Sequence, residues 1–513
     1  MTVVFMMALA AHAAAPPSRE DRVAAVIARY AGAPPILRVL LQPMPKGGDL
    51  HNHLDGSVYA EDYLTWASDD GDCIARTTRT ITPPPCTAHQ VPARDLAARD
   101  PKFYQETIDA LSMRNFVPGL GTGEVSGHDH TFATFGRFGA VAAAHLGDML
   151  AATRRIAARD NVQYIEQIAD PSAAFDPALF PVSVGTDRPS FERDLAALSP
   201  RLPGKVAAAR AQFDAAEARM HALLRCDDPP IVPPVRPACR IDTHYLFFVL
   251  RTLPPQKVFA QIALGYALVA ADPRFVGLDL VGPEDDPVAL RDFALQMRMF
   301  QFFEYKHTQV KLSLHAGELA LGLVPPDQLG FHIYDSIFIA GATRIGHGYE
   351  MPYYGNAAYL LGVMARAHIA VEINLTSNDI TPGVRGAEHP LALYRAAGVP
   401  VTLSADDEGV FRIDLTHEYV RAVAEQHLDY RDLKEIARNG LEYSFLPGES
   451  LWIDRDYAKP VAACAHDTVG TLSPSDGCIE FLVRSQKATL QWRFEHASAA
   501  YEDAVLAGPF ARP

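Results

Sequence analysis

The sequence has no excess of positive charge. Lys and Arg number 46 against 61 Asp and Glu, giving a formal net charge of −15. A nucleic-acid binder needs a cationic footprint, so that class is set aside. No apolar run approaches the ~20 residues of a membrane-spanning helix. No Cys-x-x-Cys occurs, which argues against a metal held through cysteine. No glycine-rich turn follows the first predicted strand, as it usually would in an open dinucleotide-binding sheet.

Six cysteines are present, in three close pairs: Cys73/Cys86, Cys226/Cys239 and Cys464/Cys478. Each pair brackets a stretch rich in Pro, Gly or Asp. Closing a loop of that size gains ~3 kcal/mol in the chain-entropy model. Even numbers in local pairs suit an oxidising compartment. The N-terminus fits export as well. Val3 to Ala10 is apolar, and small residues at Ala11 and Ala13 suit cleavage after Ala13. Residues 1–13 are therefore expected to be a signal peptide, although the usual positive n-region is absent. The protein is expected to be secreted or periplasmic.

After an N-terminal helical segment (14–45, with a helix over Arg19–Tyr30 and then a Pro-rich approach), a regular alternation begins. Eight β-rich runs start near Gly48, Val162, Ile241, Phe275, Val310, Thr343, Ala370 and Val399. Helical periodicity lies between most of them, for example over Val141–Ala158 and Pro287–Tyr305. This pattern predicts a (β/α)8 TIM-type barrel over 46–449. Insertions are expected near 68–100 and 203–239, with a C-terminal extension, 450–513, packed on the barrel.

Catalytic groups of such barrels sit at the C-terminal strand ends. Strand one ends in His51-Asn52-His53-Leu54-Asp55-Gly56, strand five in His315-Ala316-Gly317-Glu318, strand six in Gly346-His347-Gly348 and strand eight in Ser404-Ala405-Asp406-Asp407. Residues two apart on a strand share a face, so His51 and His53 can both enter the barrel mouth. Imidazoles and a carboxylate suit zinc, which takes nitrogen and oxygen donors. Glu318, just past its strand end, can sit beside such a metal, and an apolar neighbour would keep it protonated. Asp406 and Asp407 should face opposite ways by strand alternation.

These segments, with Met44–Gly56, Gly277–Glu284 and Ser377-Asn378, resemble the adenosine deaminases of the amidohydrolase superfamily, and most of all the secreted growth-factor-type branch. The resemblance covers roughly 44–446. It implies that His51, His53, His315 and Asp406 hold one Zn2+ per chain, and that His347 orients a water and accepts its proton. It further implies that Glu318 donates to purine N1, Asp407 contacts N7, the Gly282 N–H contacts N3, and Asp55 binds the ribose 5′-hydroxyl. The implied reaction is hydrolytic deamination of a 6-aminopurine nucleoside, adenosine or 2′-deoxyadenosine, to inosine and ammonia. Another 6-aminopurine or a modified adenosine is the first alternative. An ester or amide hydrolase is the second, though such barrels usually bridge two metals with a modified Lys, and no strand-four Lys is evident. A homodimer is a further implication, drawn from the N-terminal helix. The chain departs from the family pattern at Glu408, where Pro is usual, and at the second strand, where the Arg often found two residues after Glu166 is missing.

Lesser candidates remain. Phe132, Phe135 and Phe138 recur at helical spacing and form either a wall over the purine or ordinary helix packing. His128 and His130 are read as lying in a Gly-rich loop and not as metal ligands. His389 is expected to set the loop after strand seven, and Trp66 to pack the first helix.

Overall fold

The computed structural model describes residues 17–180, 183–228, 237–307 and 309–512. The signal-peptide reading falls on residues outside these. Eight parallel strands form one sheet in chain order: β1 (Gly48–His53), β2 (Tyr164–Ile168), β3 (Asp242–Leu250), β4 (Phe275–Val281), β5 (Lys311–Ala316), β6 (Arg344–His347), β7 (Ala370–Ile373) and β8 (Val401–Leu403). The sheet closes on itself. The Asp406 N–H donates to the His51 carbonyl at 3.0 Å, and the His53 N–H donates to the Asp406 carbonyl at 3.1 Å. The result is the (β/α)8 barrel expected from the sequence. All but β3, which is half-buried at its start, are buried almost end to end, as parallel strands covered by helices must be.

The third helix after β8, Tyr430–Glu442, is capped by Asp429 through a reciprocal box with Asp432. Its buried face carries Leu433, Ile436, Ala437, Gly440 and Leu441. Here two backbones touch. A Cβ on Gly440 would lie 2.5 Å from the Gly48 carbonyl oxygen, and one on Gly48 2.5 Å from that of Gly440. The start of β1 is thereby clamped to the last barrel helix.

The additions to the barrel each have a distinct build. In the first insertion, Cys73–Ala75 pairs antiparallel with Ile81–Thr82 and with Gln90–Pro92, and Cys73 is bonded to Cys86. In the second, the helix Leu202–Leu224 lies against Leu146–Arg159, and the Cys226–Cys239 disulfide follows it. The C-terminal extension has a small core of its own around Leu451, Trp452, Trp492 and the Cys464–Cys478 bond. Its long helix, Gln486–Ala507, docks on the barrel through Lys434–Glu502 (2.8 Å) and Arg438–Glu495 (2.7 Å).

Three local expectations are corrected. The Pro-rich approach contains a helix, Pro34–Leu41, whose prolines occupy its first turn, where a missing N–H costs nothing. The helix expected over Val141–Ala158 is two, Gly127–Ala144 and Leu146–Arg159, broken at His145. The imidazole there bonds to Asp70 (2.9 Å) and Asp148 (3.3 Å) and stacks on Trp66, fixing the bend. Finally, His128 and His130 lie in the first turn of Gly127–Ala144 rather than in a loop.

Gly440→Ala is expected to lower the urea unfolding midpoint by the equivalent of roughly 1–3 kcal/mol, the usual cost of overpacking. Gly136→Ala, where a Cβ meets nothing within 4 Å, should have no such effect.

Candidate active site

The barrel's C-terminal mouth opens into a cavity of about 440 Å3. At its floor four polar strand ends converge. His51 and His53 project from β1. Their ring nitrogens, with that of His315 from β5, lie within 4.8 Å of one another. His53 Nε2 is 3.2 Å from His315 Nε2, and Asp406 Oδ1 is 3.4 Å from His53 Nε2 and 3.6 Å from His51 Nε2. Tetrahedral ligands on one zinc are ~3.3 Å apart. His51 Nε2 is buried with no hydrogen-bond partner, as a nitrogen aimed at a cation would be. The residues present therefore fit a metal ion.

Supporting groups set the aim of each ring. His51 Nδ1–H donates to Glu372 on β7 at 2.8 Å, and His315 Nδ1–H donates to Asp279 on β4 at 2.9 Å. Both bonds turn Nε2 inward and fix the tautomer. Glu372 is held by Ser313 and Arg344, each at 2.6 Å, and Arg344 also pairs with Glu166. Burial pushes His53 down to about 4 and His315 well below the usual imidazole range, which keeps both as neutral donors. For His51 burial acts the same way but is outweighed by Glu372 and Asp406, and its pKa rises to about 9. Carboxylates that favour an imidazolium here also favour a metal cation.

Around this floor stand the groups that can move protons. His347 Nδ1 bonds Asn378 Oδ1 at 2.9 Å, which leaves Nε2 facing the cavity, 3.8 Å from both Glu318 Oε1 and Asp406 Oδ2. The Asn378 amide nitrogen is in turn 2.8 Å from His389 Nε2. Glu318 donates its backbone N–H to Glu284 at 2.7 Å. Burial raises the Glu318 pKa, and the charges of Asp406 and Glu284 add to the rise. Asp407 is raised further, by burial and by Asp406, Asp55 and Glu318, whereas nearby imidazoles, His347 and His51 foremost, hold Asp406 down to about 2 despite its burial. Asp407 Oδ1 is buried without a partner. It fits only because Gly56 has no side chain, since a Cβ there would lie 1.7 Å from that oxygen. Burial pushes Asp55 up to about 6.

The structure gathers every site residue read from the sequence. Asp55, Gly282, Glu318, His347 and Asp407 line the cavity, while His51 lies beneath it. The separation of Asp406 from Asp407 is not the strand alternation expected, because β8 ends at Leu403 and Asp406 has a left-handed φ of 60°. His347 shares that backbone state, with φ 62°, a strained geometry typical of functional strand ends. Of the three phenylalanines, Phe132 and Phe135 line the cavity, whereas Phe138 is buried and stacks on Tyr63. His130 is buried against Glu124 and two backbone carbonyls. Glu372, Asp279, Asn378 and Glu284 were not assigned roles from the sequence. A lone acidic residue within an otherwise apolar strand, as in Ala370-Val371-Glu372-Ile373, was the signal for the first two.

Residues 236–451 match the family model described as adenosine deaminase. That segment, from before β3 to beyond β8, is what the chain has in common with the adenosine deaminase family model. The chain is 35% identical over 153 residues to an aminodeoxyfutalosine deaminase of Streptomyces coelicolor, covering 29% of this chain and 38% of that protein. It is 27% identical over 236 residues to an adenosine deaminase of Yersinia pseudotuberculosis, covering 45% of this chain and 65% of that protein. The match thus spans less than two thirds of either relative. In fold, the chain is similar to a zinc-bound amidohydrolase of Burkholderia ambifaria, with a TM-score of 0.51 at 15% identity over 92% of this chain and 95% of that one.

Glu372→Gln is expected to weaken retention of a metal ion at this cluster 10- to 100-fold, the usual effect of losing a carboxylate behind a ligand histidine. Metal content after dialysis against graded chelator measures it.

Proposed function

We propose that this chain is a zinc-dependent deaminase of 6-aminopurine nucleosides, with adenosine and 2′-deoxyadenosine as substrates. One observation carries the reading. A purine nucleoside presents three ring acceptors, N1, N3 and N7. The cavity offers three donors: the carboxyls of Glu318 and Asp407, both pushed toward the neutral acid by burial, and the backbone of Gly282. Carboxyls held neutral so that they can donate are a recognised catalytic device.

His51, His53, His315 and Asp406 would hold the zinc. When bound, the ion supplies Lewis acidity that brings water within reach of deprotonation near neutral pH. His347, with its Nδ1 proton engaged by Asn378, accepts the water's proton at Nε2. Glu318 gives its proton to N1, which draws electrons from C6 and opens it to addition. Asp407 donates to N7 and the Gly282 N–H to N3, so the ring is fixed in plane. The proton held by His347 then passes to the departing amine, which leaves as ammonia. As the C6 carbonyl forms, the proton of the C6 hydroxyl returns to Glu318, so adenosine and water give inosine and ammonia with every chain residue in its starting state. Phe132, Phe135 and Phe411 cover the ring and exclude bulk water.

Asp55 accepts from the ribose 5′-hydroxyl. A nucleotide is disfavoured. The cavity wall contains Asp55, Asp286 and Asp406, and none of its described lining residues is Lys or Arg, so a 5′-phosphate would find no Lys or Arg to pair with and would lie beside the Asp55 carboxylate. The three disulfides fit an extracellular or periplasmic location. Among the described residues no helix is long and apolar enough to cross a membrane.

Zinc-loaded protein is expected to convert adenosine to inosine, followed by chromatography of the products, with AMP a far poorer substrate. Glu318→Gln should lose roughly 10²- to 10⁴-fold in kcat, the range for a missing general acid, with zinc content unchanged. Retention of full activity by that variant overturns the mechanism.

A further inference from the structure

A second cavity, of about 360 Å3, adjoins the first. The two share three wall residues, Asp55, Phe175 and Phe248. Asp55 is the group assigned above to the ribose 5′-hydroxyl, so the second cavity begins where the 5′ end of the nucleoside lies. Phe175 and Phe248 form part of the partition, with ring centroids 6.2 Å apart.

The helix Gly127–Ala144 explains why there is space beyond that partition. One face of it runs along both cavities. Over the first it carries large side chains, Phe132 and Phe135. One and two turns further it carries Gly139, Ala142 and Ala143, which line the second. A Cβ built on Gly139 meets no heavy atom within 4 Å. The face thus changes from bulky to small at the point where the purine and ribose would end. The remaining wall is mainly apolar, with Leu146, Met149 and Ile168 among its residues. Its acidic groups are Asp55 and Asp170. Asp170 accepts the Phe248 N–H at 3.0 Å through Oδ1, while Oδ2 is buried with no partner. Burial holds Asp170 well above the usual carboxylate range. A wall of this kind suits an uncharged substituent and opposes an anionic one.

We propose that the second cavity is a subsite for an uncharged, apolar substituent at the 5′ position, and that the substrate class extends to 6-aminopurine nucleosides with 5′-alkylthio or similar groups. The proposal rests on the nucleoside-deaminase reading and deepens it. Two nucleosides lacking the 5′-hydroxyl isolate the subsite: 5′-deoxyadenosine, which stops short of it, and 5′-deoxy-5′-(propylthio)adenosine, which enters it. In the wild-type protein, kcat/KM for the propylthio compound should exceed that for 5′-deoxyadenosine at least 10-fold. Gly139→Leu fills the subsite from a position with free space and should bring that ratio near 1, with adenosine changed less than 2-fold. Ala143→Leu, on the exposed side of the same face, serves as an independent filling variant and should act in the same direction. A wild-type ratio of 1 or below overturns the proposal, as does an equal loss on all three nucleosides in both variants. If none of the three is deaminated, the deaminase reading fails instead. Calorimetric binding of the two 5′-deoxy compounds to the zinc-loaded protein then decides the subsite, by the same 10-fold ratio and its loss in Gly139→Leu.

Discussion

The site depends on one buried carboxylate. Glu372 is 1% exposed, in the middle of β7, and meets three partners from three other strands: His51 on β1, Ser313 on β5 and Arg344 on β6. Arg344 extends the link to Glu166 on β2. A charge this deep is tolerable only when fully paired, and here the pairing runs across the barrel interior. The network does two things at once. It ties strands that are not all neighbours in the sheet, and it turns the His51 ring so that Nε2 faces His53, His315 and Asp406. The aim of the His51 ring is therefore a consequence of core electrostatics rather than of a loop.

The same principle separates the acids above the floor. Asp406 and Asp407 are adjacent in sequence and equally buried, yet they sit at opposite ends of the carboxylate range. Asp406 faces four imidazoles, whereas Asp407 faces Asp55, Glu318 and Asp406 itself. The left-handed backbone at Asp406 makes this possible by sending the two side chains in different directions. Gly56 then leaves the room into which Asp407 projects. One residue is thereby held toward its anion, which suits a cation, and the next is pushed toward its neutral acid.

Much of this was legible in the sequence, and the reason is geometric. A barrel brings successive strand ends to one mouth, so polar residues recurring just past apolar runs must converge, and chain order alone identifies His51, His53, His315, His347 and Asp406 as neighbours. What was not legible depends on partners distant in sequence. Glu372 lies 321 residues from His51, and nothing local to either marks the pair. The break at His145 was hidden because both flanking helices share one apolar periodicity, and only the contacts of its imidazole redirect the chain. Asn378 stood in a matched segment, but its grip on His347 needed the fold. The Pro-rich approach misled because proline reads as a breaker unless it falls in a first turn, where Pro34 and Pro35 do.

The helix Gly127–Ala144 shows how selectivity can be set apart from chemistry in such a barrel. No residue of this helix belongs to the metal cluster or to the proton-transfer groups, so its side chains can change size without disturbing either. Its face lines the cavity above His53, His315 and Asp406 with Phe132 and Phe135 and the adjoining cavity with Gly139 and Ala142. Side-chain volume along one turn-to-turn stripe therefore decides how far a ligand can extend. Catalytic residues are fixed by the strands and by Glu372, whereas the reach of the pocket follows from which small residues a neighbouring helix places beyond Asp55.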